Sequence, residues 1–156
     1  MSRTIDKTDR KILKVLQADA SISMEALAES VSLSRNACWR RVKQMEESGV
    51  IKSRVTLVDP DALDLGLTVF VMIRTGEHDP DWLSRFEAAV RSLPEILGAH
   101  RMSGDLDYVL RVRVADVKSY DHFYKRLISQ VPVSDISASF VMDDIKDTTE
   151  LPVEHY

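Results

Sequence analysis

The sequence predicts an α+β protein, with an N-terminal (winged) helix-turn-helix followed by a C-terminal ferredoxin-like βαββαβ domain. Three observations carry that expectation. Residues 34–51, SRNACWRRVKQMEESGVI, read as one helix with an apolar stripe on one side and a face of hydrogen-bond donors on the other. Two shorter helical patterns precede it, the second joined to it by a turn of three to four residues. After residue 66 the rhythm changes to short apolar strands and amphipathic helices in the order β-α-β-β-α-β.

Taken in order, Asp6 can accept a bond from a free first-turn N–H and so starts a helix running to about Leu16. Its apolar set is Ile5, Ile12, Leu13 and Leu16, with Asp9, Arg10, Lys11 and Lys14 expected outside. DASIS (19–23) is a turn, and Ser23 caps a short helix, MEALAESV, with Leu27, Ala28 and Val31 inward. SLS (32–34) leads into the third helix. Ser32 stands where such turns often use glycine, so a left-handed backbone there carries strain. Ser34 is the N-cap of the third helix and Gly49 its stop. Cys38, Val42 and Met45, at i, i+4 and i+7, form its buried stripe. At roughly 100° per residue, Arg35, Asn36, Trp39, Arg40 and Lys43 fall on the other side, and acids follow only at Glu46 and Glu47. Trp39 lies between the two faces and either meets a groove or packs beside the core.

Residues 50–58 suggest a short strand, either a small wing or the link to the next domain. DPDALDLG (59–66) is the domain boundary, which gives a first domain over 1–58 and a second over 67–156. In the second, LTVFVMIRT (67–75) is a strand apolar enough to be buried on both sides. Asp79 and Pro80 open a helix over 78–94 with Leu83, Phe86, Val90 and Leu93 inward. EILGAHRMS (95–103) and YVLRVRVA (108–115) are strands joined through the turn 104–107, and the second alternates apolar residues with arginine as a sheet covered on one face does. A helix over 116–131 turns Tyr120, Phe123, Leu127 and Ile128 inward, a last strand spans 135–146, and the tail TTELPVEHY has no clear element.

Composition narrows the function. Hydrophobic residues at 44% and charged residues at 29% suit a soluble globular chain. No apolar run reaches the roughly 20 residues of a membrane span, the first residues lack a signal-peptide core, and a single cysteine excludes an intrachain disulfide. The cytoplasm is the expected compartment. The net charge of -4 conceals an asymmetry. Residues 1–58 hold 11 Lys and Arg against 7 Asp and Glu, a balance of +4, whereas residues 59–156 hold 10 against 18, a balance of −8. A basic front joined to an acidic back points to a nucleic-acid module attached to something else. The histidines at 78, 100, 122 and 155 are scattered, and no HExxH, Gly-rich phosphate loop or serine nucleophile motif is present, so an enzyme is not expected. No cofactor or metal is expected either.

In this order and spacing, IDKTDRKILKVLQADA, LAESVSLS, CWRRVKQMEESGVI, GDLDYVLRV and the late IKDTTELP resemble the Lrp/AsnC (feast/famine) family of bacterial and archaeal transcription regulators over nearly the whole chain. The Cys-Trp-Arg-Arg opening of the third helix and YDHFYKRL are most similar to a branch responding to amino acids, cysteine among them. Four positions depart from the family pattern: Ser21 where many relatives have Arg, Ser32 for Gly, the absence of Gly from PVSD (132–135), and Leu106 for an aromatic.

The resemblance implies a regulator of amino-acid metabolism genes that binds duplex DNA at palindromic promoter sites. It implies dimers assembling into tetramers or octamers, a nucleoid-associated location, and a free amino acid as effector. Ser34, Arg35, Asn36, Trp39, Arg40 and Lys43 are the expected DNA contacts. Arginine and asparagine can pair bidentately with guanine and adenine, and Lys43 suits a phosphate. Arg41 points elsewhere and serves the fold. The hairpin Gly104, Asp105, Leu106, Asp107 and Tyr108, with Ser137 and Ser139, is the expected effector site, the carboxylates receiving an ammonium group. The plainer reading of that hairpin is a turn. The alternative function is a ligand-binding or interaction module without DNA binding.

Overall fold

Each helix in the first third of the chain begins at a side-chain cap. In the computed structural model, which describes residues 4–76 and 79–154, the Asp6 carboxylate accepts the Asp9 N–H at 2.8 Å and Asp9 returns the bond to the Asp6 N–H. This capping box opens α1 (Lys7–Ala18). Ser23 caps α2 (Met24–Ser30) and Ser34 caps α3 (Arg35–Glu47). Ile12, Leu27, Ala28, Val31, Cys38, Val42 and Met45 form the core of these helices. Between α2 and α3, the Ser32 N–H bonds to the Glu29 carbonyl and the Leu33 N–H to the Ala28 carbonyl. That Schellman pattern needs a left-handed residue, and Ser32 supplies it at φ 57°. Gly49, at φ 75°, ends α3.

Asp9 departs from the sequence expectation. Expected outside, its side chain is 1% exposed and accepts a 2.9 Å bond from Arg41. The same guanidinium nitrogen reaches Asp6 at 2.7 Å. A lone carboxylate would not survive there, but a paired and hydrogen-bonded one does. Residues 51–58 form no hydrogen-bonded strand. Val55, Leu57 and Val58 are exposed.

The second unit is built as expected in type and order. It comprises β1 (Leu67–Arg74), α4 (Pro80–Ser92), β2 (Ile96–Arg101), β3 (Tyr108–Val114), α5 (Val117–Gln130) and β4 (Asp135–Phe140). His78, where the sequence reading starts the fourth helix, and His155 lie outside the described residues. The sheet order is β2-β3-β1-β4, antiparallel throughout. Val69, Val71, Ile73, Leu110, Val112 and Val114 point to the helices and are buried. Phe70 and Met72 alternate onto the other face of β1, where Phe70 is exposed.

Trp82 and Ala89, absent from the expected core face of α4, are buried. The Trp82 ring stacks on Phe86 at 5.0 Å, and its indole N–H donates to the Pro132 carbonyl at 2.7 Å. Ile128, expected inward, is exposed, and Val131 takes the buried place beyond Leu127.

The chain divides into two compact units, Met1–Leu57 with Lys146–Tyr156, and Val58–Ile145. The tail, placed by sequence with the second domain, thus groups with the first. Gln17 exchanges two bonds with the Leu151 backbone at 3.1 and 2.7 Å, Arg10 donates to the Val153 carbonyl at 2.8 Å, and Lys14 pairs with Glu154 at 3.0 Å. The tail forms no helix or strand of its own, so periodicity carried no sign of this docking.

Two substitutions test this unit by urea denaturation. Ser32→Gly removes the left-handed strain and is expected to stabilise it by about 1 kcal/mol. Arg41→Ala is expected to cost about 2 kcal/mol, because Asp9 stays buried without that donor. An acid titration tests Asp6. The Asp9 N–H, and then Arg41, hold its carboxyl below its ordinary value. A lowered folded pKa stabilises fully above the ordinary value, and the contribution fades as pH falls through the folded one. The stability difference between the wild type and Asp6→Asn is therefore expected to be largest at neutral pH and to shrink below about pH 4.

Candidate nucleic-acid interface

The buried stripe fixes which side of α3 faces out. Cys38, Val42 and Met45 are buried, so residues half a turn away are exposed. Arg35, Asn36, Trp39, Arg40 and Lys43 all lie on that exposed side. Trp39 is 54% exposed, which resolves the two readings of its position in favour of solvent. Cys38 is fully buried, and burial pushes its thiol pKa up. That is the chemistry of a small core residue, since a reactive cysteine needs an accessible thiolate.

Ser34 Oγ accepts the Ala37 N–H at 3.3 Å and donates no hydrogen bond among the described residues. Arg35, the first helical residue, pairs with Glu25 of α2. Glu46, one turn past Val42, pairs with Arg54 at 3.0 Å. Gln44 is also exposed, one turn beyond Arg40 on the same face. The sequence reading passed over Gln44 and Glu25. Helical spacing from Arg40 was the available signal for Gln44, whereas Glu25 sits on another helix and gave none.

The hairpin expected to hold an effector is only partly open. Gly104, at φ 117°, makes the turn, and a side chain there would meet nothing within 4 Å, so backbone conformation is what demands glycine. Asp107 accepts the Thr75 N–H at 2.8 Å and donates its own N–H to the Ile73 carbonyl at 3.0 Å, which fastens the hairpin to β1. Arg74 donates to the Asp105 carbonyl at 2.8 Å and to the Asp135 carboxylate at 3.0 Å. Among the described residues the Asp105 carboxylate makes no hydrogen bond. Leu106 is half-buried.

Tyr108, expected at the ligand, is instead a core residue 8% exposed, with its ring 4.6 Å from Phe86. Strand alternation sends it to the helix side. Ser137 and Ser139 lie on β4 opposite Met72 and Phe70. Ile73 marks the hairpin end of β1, so at about 3.4 Å per residue Ser139 is roughly 10 Å further along the sheet. The hairpin and Ser139 are not gathered into one site.

No described helix is long and apolar enough to cross a membrane, and no described cluster of His, Cys, Asp and Glu could hold a metal ion. An exposed donor face on the second helix of a helix-turn-helix, joined to a ferredoxin-like domain, defines a class of DNA-binding regulators rather than of enzymes. Residues 5–52 match the winged helix-turn-helix DNA-binding family and residues 68–151 the Lrp/AsnC ligand binding domain. The chain belongs to the Lrp/AsnC family of transcriptional regulators.

It is 50% identical to the DNA-binding transcriptional activator DecR of Escherichia coli K12, over 96% of this chain and 99% of that protein. The crystal structure of an AsnC family transcriptional regulator from Agrobacterium tumefaciens superposes with a TM-score of 0.93, at 50% identity, covering 96% of this chain and 97% of that one. A Neisseria meningitidis transcriptional regulator, solved in complex with L-methionine, superposes with a TM-score of 0.92, at 38% identity, covering 97% and 99%.

Trp39 gives the interface an optical readout. Its fluorescence is expected to be quenched by acrylamide in the free protein and protected when duplex DNA is added. Trp39→Phe should abolish that change, because the remaining tryptophan, Trp82, is buried. Equal protection in the variant would place the contact elsewhere.

Proposed function

We propose that this chain is a sequence-specific, DNA-binding regulator of amino-acid metabolism genes whose effector is a free amino acid. The observation that carries the reading is the outward face of α3, where Arg35, Asn36, Trp39, Arg40 and Lys43 are all exposed. Recognition helices of this motif place their N-terminal residues against base edges. Arg40 and Asn36 suit guanine and adenine, at roughly 1–3 kcal/mol of discrimination each, while Lys43 and Ser34 suit phosphates.

One helix-turn-helix offers few contacts, so two copies reading a palindrome one helical turn apart are required. The face of the sheet opposite the helices supports a homodimer, since Phe70 is exposed there beside Met72. Tetramers or octamers built from such dimers fit the family, and the nucleoid in the cytoplasm is the matching location.

The effector reading rests on the hairpin 104–107. The Asp105 carboxylate, without a hydrogen bond among the described residues, suits an ammonium group, and the L-methionine bound by the Neisseria relative supports an amino acid as ligand. Cysteine belongs in the panel because of the Cys-Trp-Arg-Arg opening of α3. Such a ligand regulates only by binding one assembly better than another.

Fluorescence anisotropy on a selected duplex and on its scrambled counterpart, across salt and with an amino-acid panel, tests the reading. Log affinity is expected to fall linearly with log salt. Arg40→Ala should lower discrimination about tenfold, whereas Lys43→Ala should weaken both duplexes alike. Asp105→Ala should abolish the effector response and leave DNA affinity intact. Absent or salt-insensitive binding would favour the interaction-module reading.

A further inference from the structure

Of the three cations on the outward face of α3, Arg35 alone makes an ion pair among the described residues, and its partner is Glu25. Both side chains are about two-thirds exposed, at 63% and 66%. A pair so open to water adds little to stability, so folding does not account for it. Both residues stand in the first turn of their helices. Glu25 is the second residue of α2 after its cap Ser23. Its own backbone N–H, and then the charge of Arg35, hold its pKa below the ordinary value.

Arg35 is the first residue of α3, where a cation opposes the helix dipole. No acid stands in the first turn of α3 to offset it, and Glu25 supplies that charge from the neighbouring helix.

The Glu25 carboxylate lies against the Nε edge of the Arg35 guanidinium as an ion pair. A guanidinium is a rigid plane with donors on its Nε side and at its Nη end. With a carboxylate against the Nε edge, a phosphate is kept from that side by charge and by space, and the two Nη groups remain at the tip. An end-on pair of parallel N–H donors matches the O6 and N7 acceptors of guanine in the major groove. The nearby carboxylate also repels phosphate.

We propose that Glu25 is a positioning residue that presents Arg35 end-on to one guanine in each half-site and turns it away from the phosphate backbone. This rests on the DNA-reading face proposed above and adds a base and a second residue to it.

The test uses the full chain and a duplex selected by the wild type from a random-sequence pool. Each guanine is replaced in turn by adenine and by 7-deazaguanine, which lacks the N7 acceptor. Arg35→Ala is expected to lose about tenfold discrimination at one guanine per half-site. Glu25→Ala is expected to lose at least fivefold at that same guanine, while binding of scrambled duplex holds or tightens. The double variant should lose no more than Arg35→Ala. Glu25→Gln repeats the measurement with helix capacity retained, should Glu25→Ala lose circular-dichroism signal.

Discrimination unchanged within twofold in both Glu25 variants, with Arg35→Ala still defective, overturns the positioning role alone. A defect at a guanine that Arg35 does not read overturns it as well. If Arg35→Ala and Arg40→Ala both discriminate the selected from the scrambled duplex as well as the wild type does, the DNA-reading face itself fails and the proposal with it.

Discussion

The bond from Arg41 to the buried Asp9 carboxylate is the constraint on which the orientation of α3 depends. Arg40 and Arg41 are adjacent and chemically identical, yet about 100° of helix separates their surroundings. Arg41 faces inward to Asp6 and Asp9 at the start of α1, and Arg40 is exposed. The apolar stripe alone would allow α3 to roll by a fraction of a turn, since hydrophobic contact is not directional. A charged hydrogen bond to a side chain 1% exposed does not tolerate that roll, because misalignment takes a buried carboxylate off its guanidinium partner. The outward face is therefore set from the inside, and the capping box at α1 contributes both acceptors.

The second unit solves the corresponding problem with aromatic rings. Strand alternation sends Tyr108 to the helix side, where it meets Phe86 at 4.6 Å and Trp82 at 5.8 Å. These rings anchor the first residue of β3, immediately after the hairpin. The hairpin is fixed on its other flank by the Asp107 carboxylate on the Thr75 N–H and by Arg74 on the Asp105 carbonyl. Of the two carboxylates that appear equivalent in the sequence, one is thus consumed in holding the turn and the other is left outward. A loop held this firmly would present the effector carboxylate proposed above without having to order on ligand arrival, which lowers the entropic cost of binding.

What could be read from the sequence was what local chemistry decides. The caps Asp6, Ser23, Ser34 and Asp79, the stop at Gly49, the stripe Cys38–Val42–Met45 and the order of the strands all depend on residues within a few positions of one another. Misreadings arose where a distant partner reversed the local preference. Asp9 was placed outside because a carboxylate prefers water, and Arg41, more than thirty positions later, brings it in. The inward set Leu83, Phe86, Val90 and Leu93 leaves out Trp82, whose indole N–H finds its acceptor fifty positions away at the Pro132 carbonyl. Tyr108 differs from its hairpin neighbours because β-sheet alternation turns its ring to the helix side, against Phe86. The stretch 51–58 has strand-like composition but no partner strand, and composition without a partner does not make a ladder.

The tail shows the same rule most fully. Residues 146–154 have no periodicity, and the bonds that order them come from α1, more than 130 positions earlier. Their docking changes the electrostatics of the helix-turn-helix unit. Residues 1–57 carry a balance of +4, and residues 146–156 add Asp147, Glu150 and Glu154 against Lys146, which brings the unit to +2. Lys14 is partly neutralised by Glu154. Arg35, Arg40 and Lys43 have no contact with the tail among the described hydrogen bonds and ion pairs. The cations of α1 that meet the tail are thus distinct from those exposed on α3, so docking of the tail lowers the charge of the unit without an ion pair to Arg35, Arg40 or Lys43 among the described residues.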